Sequence, residues 1–230
     1  MWGAMPGCGT PGAQFSRTPA SAWGRATSCD GPTQTIFRVL VYHAAVRCFV
    51  ALDLPTPVCN YLAGLAVRFE KKGNVKWVPP EQLHLTLVFA GDVQDATVDA
   101  LREVVGAVTL PKLSLSLQGL GHFPERGEPR VVWAALGGDL EPLTALQNQL
   151  AQQAERLGVP REKRGFVPHV TLGRVRSPFG ALALIDQLKS VGATLEQKPF
   201  APTGLVLYRS ELRPGGPIHT SLLRRPSPES

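Results

Sequence analysis

The stretch of sequence that decides the fold is residues 82–89, which read QLHLTLVF. Successive side chains of a β-strand point to opposite faces, so the alternation of apolar and polar residues predicts a strand here. Its apolar face consists of Leu83, Leu85, Leu87 and Phe89. His84 and Thr86 share the other face, which places the core on one side of the strand and the chemistry on the other.

The same pattern recurs 85 residues later in residues 166–173, FVPHVTLG. His169 and Thr171 again stand two residues apart, while Val170 and Leu172 face away from them. Two copies of the pattern His-x-Thr-x are the functional signal of this chain.

An internal repeat surrounds the two motifs. Shifting the chain by 85 residues superposes three predicted elements on three others: 46–52 on 131–137, 56–72 on 141–157, and 96–108 on 181–193. This order indicates a duplicated strand-helix-strand-helix unit. Each half would present one His-Thr strand at the junction, and ligand sites usually lie in clefts of this kind.

The rest of the chain supplies the remaining elements. The first helix is expected to carry Lys71 and Lys72 in its last turn and to end at Gly73, and Asp95 is the expected N-cap of the second helix. A turn is predicted at 119–124. Further strands are predicted at 75–78, 112–118, 194–199, 204–210 and 217–223.

Residues 1–45 are rich in Gly, Pro, Ser and Thr and almost lack hydrophobic periodicity, which favours disorder. We expect one bilobal domain over 46–223 and a tail at 224–230. Because the first predicted strand begins at Val46, we hypothesise that residues 1–45 are a non-native extension. In that case Val46, read from a GTG codon, is the true first residue.

The composition is that of a soluble globular protein, with 43% hydrophobic residues. The net charge of +6 favours polyanionic partners such as nucleic acid. The longest apolar runs fall short of the ~20 residues of a membrane span, and no secretory signal is evident, so a cytoplasmic location is expected. The four cysteines form no CxxC pair, and neither a disulfide framework nor a zinc site is predicted.

Two histidine-threonine pairs that face one cleft favour acid-base chemistry on a phosphodiester. Imidazole titrates near pH ~6.5, so at neutral pH one ring can accept a proton while the other donates one. The threonine hydroxyls would donate hydrogen bonds to the non-bridging phosphate oxygens. Metal binding lacks a carboxylate or thiolate at ligand spacing, and a Ser-His-Asp hydrolase lacks its G-x-S-x-G elbow. The other histidines, His43, His122 and His219, are expected to be structural.

Longer segments around both motifs resemble the two-histidine phosphoesterase superfamily. Within it, the similarity is to the bacterial RNA 2′,3′-cyclic phosphodiesterases, also called 2′-5′ RNA ligases. The motifs themselves lie in WVPPEQLHLTL at 77–87 and FVPHVTLGR at 166–174. The other similar segments are RCFVALDLP at 47–55, FP at 123–124, PRVVW at 129–133 and LYRSEL at 207–212. The resemblance covers about residues 46–223.

The resemblance implies a bilobal α+β fold, in which two antiparallel sheets related by a pseudo-two-fold form a central cleft and helices pack on the outside. It also implies hydrolysis of RNA 2′,3′-cyclic phosphate ends to 2′-phosphates without a metal or other cofactor. His169 would deprotonate the water and His84 would protonate the departing 3′ oxygen, while Thr86 and Thr171 bind the phosphate. With a 5′-hydroxyl in place of water, the reverse reaction would form a 2′-5′ linkage.

Three further residues are candidate substrate contacts. Arg130 and Arg174 could hold phosphate. Alternation along the strand places Arg174 on the core face, however, so its side chain can reach the cleft only if the strand ends or bulges at Gly173. Phe123 could stack on a base or fill the core. The basic loop at 161–164 would add non-specific attraction for phosphate.

Two other functions are compatible with the same residues. The chain could be an RNA-binding module that engages cyclic-phosphate or 2′-phosphate ends without turnover, or a phosphodiesterase that acts on small cyclic nucleotides. In each case the expected state is a monomer that does not contact a membrane.

Overall fold

The computed structural model describes residues 45–69, 74–177 and 179–228. The expectations of disorder and of a false start for residues 1–45 therefore fall outside the described ranges. Lys71, Lys72 and Gly73 lie outside them too, but the helix expected to reach Lys72 ends at Val67, so its predicted end is wrong. Within those ranges, no helix combines the length and the apolar character that crossing a membrane requires.

Four helices and eight strands form within the described ranges, which confirms the predicted α+β class. The helices are α1 (Thr56–Val67), α2 (Asp95–Ala107), α3 (Leu140–Arg156) and α4 (Ala181–Gly192). The strands are β1 (Val46–Asp53), β2 (Asn74–Trp77), β3 (His84–Val93), β4 (Leu115–Phe123), β5 (Val131–Gly138), β6 (His169–Ser177), β7 (Gly204–Arg213) and β8 (Gly216–Pro226).

The strands form one antiparallel sheet with the order β4-β5-β6-β3-β1-β7-β8, and β2 also pairs with β6. The sheet consists of two four-stranded halves, one containing β2, β4, β5 and β6 and the other containing β1, β3, β7 and β8. Among the described strands, the halves are joined where Leu85 of β3 pairs with Val170 of β6. We call these two residues the seam pair. The two sheets expected from sequence are thus halves of one sheet.

The two halves repeat one another at the predicted spacing. β1 and β5 begin at Val46 and Val131, and β3 and β6 begin at His84 and His169, so both pairs of strands start 85 residues apart. The two members of the seam pair are separated by the same number of residues. Because the sheet pairs a position with its own equivalent there, a pseudo-two-fold axis passes close to the seam pair.

The helices cover one face of the sheet with apolar stripes. In α2 the buried residues are Val98, Leu101 and Val105, a spacing that places them on one side of a helix, and α3 carries a stripe of the same kind. Both members of the seam pair are completely buried in this core. The side chains that flank the seam pair in β3 and β6 therefore project from the opposite face of the sheet.

Each histidine strand contains a bulge just past its threonine. The register between β5 and β6 skips Leu172, and the register between β1 and β3 skips Leu87. An extra residue in one strand moves the side chains that follow it to the opposite face; in β3 this holds as far as Phe89, because the register with β1 skips a second residue at Ala90. Leu87 and Leu172 are again equivalent in the repeat, so the bulge is part of the duplicated unit.

The bulges decide two predictions about side-chain direction, one for Phe89 and one for Arg174. Phe89 is predicted on the core face of β3, but its side chain is 39% exposed, because the bulge at Leu87 reverses its direction. Arg174 is the equivalent residue of β6, and the bulge at Leu172 gives it the same reversal. Its exposed side chain accordingly reaches the cleft.

Three further predictions about local structure are wrong. Residues 119–124 do not form a separate turn, because pairing with β5 satisfies their backbone and extends β4 to Phe123. Residues 194–199 form no strand, since Leu195 is their one buried apolar side chain. The residue that caps α2 is Gln94, and Asp95 instead begins the helix, where its charge complements the helix dipole.

The last strand also runs further than predicted. β8 reaches Pro226, inside the segment expected to be a tail. Arg224 forms an ion pair with Asp53, and Arg225 donates a hydrogen bond to the backbone carbonyl of Val105 in α2. These contacts tie the end of the chain to the half of the sheet that carries His84.

We expect Leu85→Ala to lower the free energy of unfolding by about 2–5 kcal/mol, because it removes a fully buried side chain and leaves a cavity. Chemical denaturation followed by circular dichroism measures this loss. The matched control is Leu212→Ala, whose side chain is 72% exposed, and which should change the free energy by no more than about 0.5 kcal/mol. Equal effects of the two substitutions would contradict the role given to the seam pair.

Candidate functional site

His84 and His169 occupy the first positions of β3 and β6, directly beside the seam pair. Nδ1 of His84 lies 2.7 Å from the carbonyl oxygen of Gln82, and Nδ1 of His169 lies 2.7 Å from that of Val167. A carbonyl oxygen can only accept, so each Nδ1 carries a hydrogen and donates it. In both rings Nε2 is therefore the nitrogen that can take up or release a proton.

Prolines shape the chain just before both histidines. Pro79 and Pro80 lead into a single 3₁₀ turn, Pro80–Gln82, which ends immediately before β3. Pro168 directly precedes His169, and a proline restricts the residue before it to extended conformations. The backbone conformations before the two histidines differ. In both cases the carbonyl of the residue two positions before the histidine lies against the imidazole.

Aromatic rings enclose the imidazole of His84. It stacks on Phe49 with ring centroids 4.8 Å apart, meets His219 edge-on at 5.5 Å, and lies 6.1 Å from Tyr208. Burial lowers the pKa of His84 to about 4; its bond to Gln82 acts in the opposite direction, and the nearby His219 and His169 lower the pKa further. In the free protein His84 is therefore neutral at neutral pH, with Nε2 available as a base.

A different set of rings surrounds His169. Phe123 meets it edge-on at 5.2 Å, and Trp133 lies 6.0 Å away. Phe123 and Trp133 also pack on one another, with centroids 5.0 Å apart. Trp133 occupies the space beside Gly121, where a Cβ would come within 2.4 Å of the indole ring. Only glycine at that position lets the indole pack where it supports Phe123.

An open cleft of about 1160 Å³ lies beside the seam pair and is lined by residues of β3 and β6, of α3 and of the segment before β6. Five of the residues predicted to form the site line it: Thr86, Phe123, His169, Thr171 and Arg174. His84 stands two residues before Thr86 on the same face of β3, close enough to His169 for the two rings to influence one another electrostatically. One cleft thus brings together both threonines and His169, with His84 at its edge.

Besides His84, Arg130 is the predicted site residue that is not among those lining this cleft. Its side chain is exposed just before β5 begins. Its backbone N–H donates to Phe123 at 2.7 Å, and its carbonyl accepts from Val175 at 2.9 Å. Through these bonds the backbone of Arg130 holds the end of β4 against β6.

A buried polar network supports the His84 side of the cleft. Asp53 pairs with His84 across β1 and β3 and is only 8% exposed. The hydroxyl of Tyr208 donates to its carboxylate, with the two oxygens at 2.8 and 3.1 Å, and Arg224 forms an ion pair with it. Burial raises the pKa of Tyr208, and the bond to Asp53 raises it further, so the phenol stays protonated. The network thereby holds the Tyr208 ring that packs on Phe49.

Sequence reasoning missed two residues of this region. His219 is predicted to be structural but lies against His84, and no motif connects two residues so far apart in the chain. Its Nδ1 is buried without a hydrogen-bond partner among the described residues. Phe89 is assigned to the core by alternation but lines the cleft. The ranges described contain no group of three or more His, Cys, Asp or Glu side chains that could hold a metal ion.

We expect the NMR titration of His84 to show a midpoint near pH 4 in the free protein, because burial disfavours the imidazolium. His219→Gln should raise that midpoint, since it removes a ring whose charge opposes protonation, but should leave it below the ordinary value of about 6.5. His122→Gln, on the other half of the sheet, should not move it. A wild-type midpoint near 6.5 would contradict the burial of this ring.

Known proteins resemble this chain both in sequence and in fold. The model of the 2′-5′ RNA ligase superfamily matches residues 54–213. An RNA 2′,3′-cyclic phosphodiesterase of Archaeoglobus fulgidus is 33% identical over 179 residues, covering 77% of this chain and 98% of the relative. The enzyme of that name from Methanothermobacter thermautotrophicus is 33% identical over 183 residues, covering 77% and 96%. E. coli LigT complexed with 3′-AMP has a TM-score of 0.64 at 28% identity, covering 80% of this chain and 99% of LigT.

Proposed function

Because the chain belongs to the 2′-5′ RNA ligase superfamily, we propose that it hydrolyses RNA 2′,3′-cyclic phosphate ends to 2′-phosphates by two-histidine acid-base catalysis. The observation that carries the proposal is the repeated geometry of the two imidazoles. Each is held through Nδ1 by a backbone carbonyl at 2.7 Å and is followed two residues later by a threonine that lines the same cleft. The similar proteins from A. fulgidus and M. thermautotrophicus carry the name of this activity.

In the proposed reaction, Nε2 of His169 takes a proton from water as the water oxygen forms a bond to phosphorus. The bond from phosphorus to the 3′ oxygen breaks, and His84 supplies the proton that this oxygen needs. The products are a 2′-phosphate and a free 3′-hydroxyl. Thr86 and Thr171 donate hydrogen bonds to the non-bridging oxygens, where negative charge increases in the transition state.

The low pKa of His84 makes its protonation part of substrate binding. A phosphodiester anion beside the ring favours the imidazolium, because an opposite charge within a few ångströms stabilises the charged form. The buried surroundings strengthen that attraction, since they screen it less than water does. His84 therefore acquires its proton as the substrate enters and releases it to the leaving oxygen.

Ligation would use the same groups. A 5′-hydroxyl would replace water as the attacking group, His169 would take its proton, and His84 would again protonate the departing 3′ oxygen; the two roles would exchange only when a 2′-5′ linkage is cleaved back to the cyclic phosphate. We rank hydrolysis first, because water needs no second binding site. Binding of RNA ends without turnover is the weaker alternative, since binding alone does not require two imidazoles with free Nε2 atoms.

We further propose that the protein acts as a monomer on RNA in the cytoplasm. One chain supplies both histidines and both threonines, so the site needs no residue from a second copy. Analytical ultracentrifugation at the concentration of the activity assay tests the monomer, and fractionation of native cells tests the location.

We expect His84→Ala and His169→Ala each to lower kcat by ~10²-fold or more, the scale of one acid-base catalyst. The assay measures hydrolysis of an oligonucleotide that ends in a 2′,3′-cyclic phosphate, in EDTA. His122→Gln, outside the cleft, is the control. If either alanine variant retained near-normal turnover, or if EDTA abolished wild-type activity, the proposed mechanism would be wrong.

We expect Thr86→Val and Thr171→Val to lower kcat by ~10²-fold, the cost of losing one donor to the transition-state oxygens. Valine keeps the shape of threonine and removes only the hydroxyl. Thr→Ser at the same positions keeps the donor and should recover most of the activity. A serine variant as impaired as the valine variant would assign these residues to packing.

A further inference from the structure

The cleft extends well beyond the two histidines. Along β3 its lining continues from Thr86 to Phe89, and the loop at 161–165 lines the same cleft. Three residues of strand span roughly 10 Å. A group at Phe89 therefore belongs to a different part of a ligand from the phosphate at Thr86.

Phe89 presents an aromatic surface to this part of the cleft. The bulge at Leu87 turns the ring out of the core, and 39% of it is exposed. The guanidinium carbon of Arg47 lies 4.8 Å from the ring centroid, and Arg47 is itself held by an ion pair with Asp92 at 3.2 Å. A cation over one side of the ring fixes it in place, and the exposed remainder faces the cleft.

The loop at 161–165 is basic, and one of its side chains is bonded to α3. The guanidinium of Arg161 donates to the side chain of Asn148 in α3 at 2.9 Å. The side chain of the preceding residue, Gln147, donates to the carbonyl of Leu87 at 3.2 Å, so α3 connects the loop to the bulge of β3. The loop and β3 are therefore both bonded to one helix.

The charge of the cleft is complementary to a polyanion. Its lining includes five cationic side chains against two carboxylates. Lys163 and Arg164 are exposed, and neither forms an ion pair with any residue that the structure describes. A single cyclic phosphate at the histidines would leave both of these cations without a partner.

We propose that Phe89 and the loop at 161–164 form a second nucleotide subsite, which binds the RNA segment 5′ to the cyclic phosphate. A base stacks on Phe89 and the adjoining phosphates face Lys163 and Arg164. The inference rests on the proposed function and adds to it the place where the strand 5′ to the cyclic phosphate binds, and so a preference for an oligonucleotide over a lone cyclic nucleotide. Stacking on an aromatic side chain tolerates any base, so the subsite selects for chain length and not for sequence.

The first test measures how Phe89→Ala changes kcat/KM for two substrates. One is an oligonucleotide with a 2′,3′-cyclic phosphate end and the other is a nucleoside 2′,3′-cyclic phosphate. The loss of one stacked base should lower kcat/KM for the oligonucleotide about tenfold more than for the mononucleotide. Phe179→Ala, whose ring is 86% exposed and outside the cleft, should show no such difference. Equal losses on both substrates, or no loss, would overturn the subsite.

The second test measures binding and does not depend on turnover. The dissociation constant of an oligonucleotide with a 2′-phosphate end is followed against salt concentration for wild type and for Lys163→Ala combined with Arg164→Ala. Two lost phosphate contacts should reduce the slope of log K against log salt by ~1.4. Lys189→Ala on α4 should leave the slope unchanged, and an unchanged slope in the double variant would also overturn the subsite.

The two tests separate this inference from the proposed function. If wild type hydrolysed neither substrate, the proposed function would fail, while weaker oligonucleotide binding by Phe89→Ala would still support the subsite. If wild type hydrolysed both substrates and Phe89→Ala changed the ratio of their kcat/KM values by less than twofold, the proposed catalysis would be supported and the subsite would be refuted.

Discussion

The pairing of Leu85 with Val170 is the constraint on which the site depends. These two buried residues join the halves of the sheet at equivalent positions of the repeat. His84 and Thr86 flank one of them, and His169 and Thr171 flank the other, so alternation along each strand sends all four side chains to the polar face. The hydrophobic contact between these two residues thus also sets the positions of the two histidine-threonine pairs relative to one another. A slip of one residue in this pairing would move them into the core.

The same skeleton carries two chemically different imidazoles. Both use Nδ1 in the same bond to a backbone carbonyl, so neither the tautomer nor the orientation of the ring distinguishes them. What differs is the packing: His84 is stacked on Phe49 and crowded by His219, whereas His169 meets Phe123 edge-on. Duplication supplies two imidazoles held in the same way, and burial among the rings around His84 lowers the pKa of that imidazole.

Alternation predicted most of the strands and the helices, because these follow from local periodicity, and the internal repeat placed the two motifs at equivalent positions. Both patterns failed where a contact distant in sequence decides the outcome. The side chains of β3 alternate between faces only up to the bulge at Leu87, so Phe89, which lies beyond it, points away from the core. The bulge depends on the pairing of β3 with β1. His219 reaches His84 only because β8 folds onto β7 and β1 lies beside it. Neither the bulge at Leu87 nor the pairing of β8 with β7 has a signature in the local sequence.

The most direct measurement of the central claim is a crystal structure of the protein with vanadate and a nucleoside bound, which together mimic the five-coordinate phosphorus of the transition state. The account predicts that Nε2 of His84 and Nε2 of His169 lie within hydrogen-bond distance of opposite apical oxygens of one vanadium atom, with the hydroxyls of Thr86 and Thr171 on its equatorial oxygens. Vanadate bound to one imidazole alone, or elsewhere in the cleft, would contradict it.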